Sequence, residues 1–376
     1  MPYLPPMRLV GATILREGEL RQRSVSLAAG RITKGPLPAI DLEGYLVLPG
    51  IIDLLHVPAR GSDMVTRLKR SRVAASSAGI STAWLAPRWS WENGFDAPAS
   101  ARELLSLLPR HGLPDLRPAI RIESYRTDTT EDLIELFAAQ GPELAWFESD
   151  FARLNDLRLN DPAQLAFEAG RLGTRPQLLA QALDEASGRR REVPRHLCRL
   201  AEALDEIRAR YGSVGDTGGA MRETHSMIGA GLAACPAAHS AAAAARAMGD
   251  PVLLSAADED RLRDMLRSHL GDAIVSDGAP AAMVPLALSL AGPELAELPR
   301  IWAMLSSRPA EIMGLADRGR LDLGCRADLA IISRRTGRVE ATICAGRLIH
   351  LAGEARRRFA MMATNGTPDD PRIAAE

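Results

Sequence analysis

The chain has 376 residues, 46% of them apolar and 25% charged, and its 46 basic and 47 acidic side chains leave a net charge of -1. That length exceeds a usual single core unless one closed barrel carries a small accessory module. The balanced charge removes the electrostatic case for nucleic acid or an anionic membrane as partner, and no run reaches the ~20 apolar residues that a spanning helix needs.

The first fifty residues predict short β segments at Met7–Leu15, Arg23–Leu27, Gly30–Thr33 and Tyr45–Leu48, with turns at Gly18, Gly30, Gly35, Pro36, Pro38 and Gly44. A second β-rich stretch follows near the end, at Ala327–Ser333, Val339–Cys344 and Arg347–Leu351. Between them, strand-like runs at Leu46–Leu54, Ser81–Ala86, Leu116–Ile122, Leu144–Phe147, Ser213–Asp216, Gly231–Ala234, Pro251–Ser255 and Ala273–Ser276 alternate with helical patterns. Ser62 is placed to cap a helix ending before Gly79, and Asp128 with Glu131 has capping-box spacing. Leu197, Leu200, Leu204 and Ile207 form one helical stripe after Pro194; Leu262, Met265, Leu266 and Leu270 form another after the acidic start Asp258-Glu259-Asp260. The alanine-rich run Ala237–Met248 is a high-propensity helix. Ser187–Glu192 reads as a solvated loop and the tail beyond about Phe359 as disordered.

Parallel neighbours need crossovers, so eight strands alternating with helices imply a parallel sheet closed into an α/β barrel of the (β/α)8 TIM type. The expected division is a composite β-sandwich from 1–50 and 318–355, a barrel over 51–317 and a flexible tail over 356–376. An open doubly wound sheet is the rival, weakened by the lack of a G-x-G-x-x-G turn. Cys198, Cys235, Cys325 and Cys344 form no C-x-x-C pair, which speaks against a disulfide framework or a structural zinc site. The start of the chain shows no export signal, so the expected compartment is the cytoplasm.

Two segments resemble the amidohydrolase superfamily. Leu46-Val47-Leu48-Pro49-Gly50-Ile51-Ile52-Asp53-Leu54 is similar to that family's run into its first barrel strand. Ser307-Arg308-Pro309-Ala310-Glu311-Ile312-Met313-Gly314-Leu315, continuing to Gly324-Cys325-Arg326-Ala327-Asp328-Leu329-Ala330, is similar to its last helix and return to the sandwich. Within the superfamily, Ile120-Arg121-Ile122-Glu123, Leu232-Ala233-Ala234-Cys235-Pro236 and Ile274-Val275-Ser276-Asp277-Gly278-Ala279-Pro280-Ala281 resemble the phosphonate-degradation branch, the α-D-ribose 1-methylphosphonate 5-triphosphate diphosphatases. The resemblance implies metal-dependent hydrolysis with zinc, manganese or iron, and a phosphorylated sugar as the small-molecule ligand.

The ligand positions that the resemblance implies are largely lost. The two first-strand ligands fall on Leu55 and Val57, while His56 between them points the other way if the strand runs regularly, as a hydrogen-bonded structural histidine. The later positions fall on Glu148-Ser149-Asp150, on Val214-Gly215-Asp216 with one carboxylate, and on Ala234. Asp277 remains as the catalytic candidate, a proton shuttle by resemblance; a capping role before Pro280 is the alternative. Glu123 and Asp216, at predicted C-terminal strand ends, are the substrate-binding candidates. Three carboxylates can hold Mg²⁺ or Mn²⁺ through oxygen but cannot reproduce a mixed histidine–carboxylate site. His225, with Glu223 nearby, is a candidate replacement ligand, whereas His111, His196, His239, His269 and His350 receive no role. The expectation is therefore no metal or a weakly held one, in a hydrolase-like chain whose hydrolysis is impaired or lost: a pseudoenzyme, a binding protein or an accessory subunit, compatible with a homo-oligomer. The alternative is an active metal-dependent hydrolase releasing diphosphate from a phosphonylated ribose triphosphate.

Overall fold

The computed structural model describes residues 3–91, 97–108 and 112–365, with the side chains of 361–365 left aside; His111 lies outside the described residues. Eight parallel strands form the barrel in chain order: Ile51–His56, Ile80–Leu85, Asp115–Glu123, Leu144–Glu148, Arg210–Val214, Ala233–Ala234, Val252–Ser255 and Ala273–Val275. Below they are barrel strands one to eight. Their period-2 alternation separates two apolar sets. Ile52, Leu54, Trp84, Ala119, Leu144, Trp146, Leu232, Leu253 and Ala273 fill the interior. Ile51, Ile80, Ala83, Leu85, Ala233, Val252, Leu254 and Ile274 pack outward with the helix layer.

Strands eight and one close the barrel without a regular ladder. The Asp277 amide donates to the Leu55 carbonyl at 3.1 Å. Beside it the buried Asp53 carboxylate accepts from the Ser276 amide at 3.0 Å, from the Leu55 amide at 3.2 Å, and holds His56 Nδ1 at 2.9 Å. A side chain thus stands in for the missing backbone acceptor, because a buried N–H must be paired. Burial opposes ionisation of Asp53, yet its bonds to His56 and Ser276 outweigh that and keep its carboxyl below the ordinary range.

The expected β-sandwich is present, with more strands than its sequence pattern indicates. One sheet orders Arg31–Thr33, Val25–Ala28, Met7–Val10 and Ala39–Asp41; the other orders Arg347–Leu351, Val339–Cys344, Leu329–Ser333, Tyr45–Pro49, Thr13–Arg16 and Glu19–Gln22. Met7–Leu15 is not one strand: it breaks at Gly11, whose φ of 75° turns the chain from one sheet to the other. Leu46–Leu54 likewise divides between sandwich and barrel at Gly50.

Several local expectations are corrected. Asp63, not Ser62, caps the helix Met64–Ser77, its carboxylate accepting from the Thr66 amide at 2.8 Å. Asp128 pairs with Arg126 at 3.0 Å instead of building a capping box, and the helix Thr130–Gln140 begins after a 3₁₀ turn. Ser187–Glu192 is no loop: a helix runs to Gly188 and a 3₁₀ turn follows. The tail opens with a helix, Ala355–Asn365, whose Ala355 and Phe359 join the sandwich core. The acidic start at Asp258 does cap the helix Glu259–Arg267, with its Leu262 and Met265 face buried.

Between strands four and five the chain inserts helices Phe151–Asn160, Pro162–Arg171 and Pro176–Gly188 before the crossover helix Val193–Glu206. Leu154, Leu165, Leu179 and Leu183 give the insertion its own core, joined by Trp91 from the loop after strand two. Tyr125, just after strand three, stacks on Phe151 at 4.1 Å. These contacts anchor the insertion at the C-terminal ends of the strands. Among the described residues no helix is long and apolar enough to cross a membrane.

A candidate site at the barrel mouth

Active sites of such barrels lie where the strands end. On strand three, Arg117, Ala119, Arg121 and Glu123 alternate with Leu116, Ile120 and Ile122 in the helix-facing layer, so Arg121 projects inward. Its neighbour on strand four is Trp146, an interior residue, and one inward step further is Glu148. Arg121 donates from Nε to Glu148 Oε2 at 2.7 Å, with its Nη2 2.6 Å from the same oxygen. Arg88, from the short strand Arg88–Trp89 that follows strand two and pairs with strand three opposite Arg121, donates from Nε to Glu148 Oε1 at 2.5 Å and from Nη2 to Asp150 at 3.1 Å. Both oxygens of Glu148 are therefore committed to guanidinium groups. Burial works against the charge on Glu148, but the two arginines overcome it and hold its carboxyl below the usual range.

Asp277 stands across the mouth, just past the end of strand eight. Its Oδ2 accepts from Ser255 Oγ at 3.0 Å, and Ser255 Oγ in turn accepts from the Ala257 amide at 3.1 Å. Its Oδ1 lies 3.9 Å from Arg121 Nη1. Burial raises the Asp277 carboxyl above its usual range, offset only in part by Arg121 and Ser255. Cys235, at the end of strand six, has its thiol pushed well up by burial and by the nearby Asp277 carboxylate. Asp277 and Cys235 both hold positive φ, 44° and 50°, in the left-handed region that non-glycine residues avoid. Such backbone strain clusters at functional sites. A cleft of about 290 Å³ opens here, lined by Cys235, Ser255, Asp258, Arg261 and Asp277 among others.

Of the three carboxylates singled out from the sequence, the structure brings only Asp277 to this cleft. Glu123 is fully buried and accepts from the amides of Tyr125, at 3.2 Å, and Asp150, at 2.8 Å, tying together the loops after strands three and four. Burial lifts its carboxyl to about 7, although those amides pull the other way. Asp216 turns outward, away from the barrel axis. It accepts from Ser213 at 2.5 Å, pairs with His225 Nδ1 at 2.8 Å and lies 3.5 Å from the fully buried Arg222. Ser213 faces the helices because its neighbour Gly212 faces inward, against Trp146 and the Leu232 carbonyl. Burial disfavours the Asp216 charge, but His225, Ser213 and Arg222 hold its carboxyl below the ordinary range.

The histidines are engaged elsewhere. His56 is held by Asp53 in the closure seam and His225 by Asp216. His196 packs against Thr130 at 2.7 Å, its ring pushed down to about 4 by burial. Leu55 joins the interior cluster, and Val57 sits beside the Asp277–Gly278 turn.

The donor set does not fit the divalent metal that the sequence resemblance implies. Leu55 and Val57 are aliphatic, Glu148 is saturated by guanidinium, and Asp277 faces a guanidinium. Among the described residues no group of three or more histidine, cysteine, aspartate or glutamate side chains is arranged to hold a metal ion. Arg121 and Arg88 went unnoticed as site residues in the sequence. The available signal was an arginine on the inward face of a strand whose other face is apolar.

No family model matches the sequence, and no curated protein does. Solved structures share the fold. A Xaa-Pro dipeptidase with methionine bound in its active site is 10% identical, with 91% of this chain and 99% of that chain covered and a TM-score of 0.62. A β-aspartyl dipeptidase from Fervidobacterium islandicum AW-1, in complex with β-Asp-Leu dipeptide, is 14% identical over 93% and 98% of the two chains, with a TM-score of 0.59. A D-hydantoinase is 14% identical over 92% and 95%, with a TM-score of 0.53. At these identities the likeness is one of fold alone: a (β/α)8 barrel with a β-sandwich.

Proposed function

We propose that this amidohydrolase-type barrel binds a small molecule at its mouth and has lost metal-dependent hydrolysis, a built-in guanidinium standing where the sequence resemblance puts a divalent ion. One observation carries the reading: Glu148, at the heart of the mouth, has both oxygens bonded to Arg88 and Arg121. A metal competing for that carboxylate must first break a buried ion pair, at a cost of about 3–5 kcal/mol, and then finds aliphatic side chains at Leu55 and Val57. What remains suits recognition: Asp277 fixed by Ser255, a fixed cation, and a cleft at the low end of ligand-pocket volumes.

A second reading is a hydrolase that releases diphosphate from a phosphonylated ribose triphosphate. It is favoured by the position of Asp277, a desolvated carboxylate at the end of strand eight suited to moving a proton. Against it, a triphosphate would meet arginines already matched by Glu148, Asp150 and Asp277. Metal analysis of the purified protein, combined with phosphoanhydride and amide hydrolysis assays with added Zn²⁺, Mn²⁺, Fe²⁺ and Mg²⁺, separates the two. The first reading expects substoichiometric metal, no turnover and a melting temperature indifferent to chelator. Stoichiometric metal with turnover abolished in Asp277→Asn defeats it.

A further inference from the structure

We infer that the gap between Arg121 and Asp277 is a seat for a ligand hydroxyl, so that the mouth takes a small neutral polyol and not an anion. This rests on the reading of the mouth as a metal-free binding site and gives that site its ligand class.

The 3.9 Å between Arg121 Nη1 and Asp277 Oδ1 is too long for a hydrogen bond, yet one oxygen about 2.8 Å from each fits between them. The occupant of that position must accept from a guanidinium N–H and donate to a carboxylate. A hydroxyl does both. A carboxylate oxygen accepts from Arg121 but has no proton for Asp277; a protonated phosphate oxygen has one but sets its own negative charge against the Asp277 carboxylate, and an ammonium donates to Asp277 but leaves Arg121 unanswered.

The rest of Arg121 is not free to turn toward an anion, because Nε and Nη2 are both held on Glu148. Arg88 is bound to Glu148 and Asp150 in the same way. The carboxylates therefore balance the positive charge before any ligand arrives, and the cleft offers an anion no net attraction. Asp277 is also fixed in direction: Ser255 holds its Oδ2, and Ala257 holds Ser255. A preset donor and acceptor facing one another need no rearrangement to bind, which is the arrangement that lowers the entropic cost of recognition. The cleft beyond carries further polar ends, Asp258 and Arg261, between the apolar Val214, Leu254 and Leu262. Its volume suits a molecule of monosaccharide size or smaller.

The test uses the full chain, checked metal-free, with glycerol, D-ribose and D-glucose as probes and phosphate, acetate, methylamine and succinimide as comparators. Binding is read by saturation-transfer NMR and calorimetry. The expected result is saturable polyol binding that phosphate does not displace and that Asp277→Ala and Arg121→Met each weaken at least tenfold. Ser255→Ala, which removes only the hydroxyl that aims Asp277, should weaken binding several-fold and serves if either stronger variant fails to fold. Tighter binding of phosphate, methylamine or succinimide than of any polyol overturns the inference. So does polyol binding unchanged in folded variants, or the absence of polyol binding. A protein carrying stoichiometric metal defeats instead the metal-free reading beneath it, so the two failures are distinguishable.

Discussion

Replacing Arg121 with methionine removes the cation while keeping much of the volume of its aliphatic stem. Glu148, with a side chain only 6% exposed, then loses two of its short contacts and keeps Arg88 alone. Breaking a buried ion pair by deleting one member costs about 3–5 kcal/mol, and the surviving Arg88 places the expected loss near the lower end, about 3 kcal/mol. Glu148→Gln should cost a similar amount, since it strands Arg121 beside Asp277 and weakens Arg88. Removing both charges together, as Arg121→Met with Glu148→Met, leaves Arg88 its bond to Asp150 and should cost only about 1–2 kcal/mol. The pair should thus show a coupling of several kcal/mol in a double-mutant cycle. Urea unfolding at pH 7 measures it, and the values should hold in high salt because the pair is shielded from solvent. Additivity of the single changes within about 0.5 kcal/mol, or a loss below 1 kcal/mol for Arg121→Met, refutes the claim that this guanidinium is the structural cation of the mouth.

Three further outcomes follow from the geometry. The Glu123 carboxyl, raised to about 7 from 4.5, lets the native state keep a proton that the unfolded chain has released. Its contribution is therefore fully present below about pH 4.5 and lost as pH rises toward and past 7; the wild-type advantage over Glu123→Gln should shrink by about 3 kcal/mol from pH 4 to pH 8, and a flat difference in denaturant titrations contradicts it. Asp53→Ala orphans the Ser276 amide and His56 in the barrel seam, costing roughly 3–5 kcal/mol, with faster hydrogen exchange at Ser276 as the local mark; a loss under 1 kcal/mol removes Asp53 from its closing role. Gly212→Ala sets a methyl 2.3 Å from the Leu232 carbonyl and 2.8 Å from the Trp146 ring, so a loss of about 2–3 kcal/mol is expected in thermal melts, and a neutral substitution argues against the interior packing described.

Periodicity and punctuation alone made much of the fold legible. Short apolar runs such as Val252–Ser255, the capped helix after Asp258 and the return strand Val339–Cys344 are encoded within a few residues, because hydrophobic pattern and backbone conformation are local properties. That Leu55 and Val57 are aliphatic, where the resemblance implies ligands, is equally local. The site was not. Arg121 meets Glu148 27 residues away and faces Asp277 still further along the chain, and Asp53 finds the Ser276 amide only when the first and last strands become neighbours. Which carboxylate is neutralised, which is raised by burial and which is turned outward, as Asp216 is toward His225, depends on the layer each residue occupies in the closed barrel. Electrostatic environment is set by distance and burial in space, and sequence spacing carries neither.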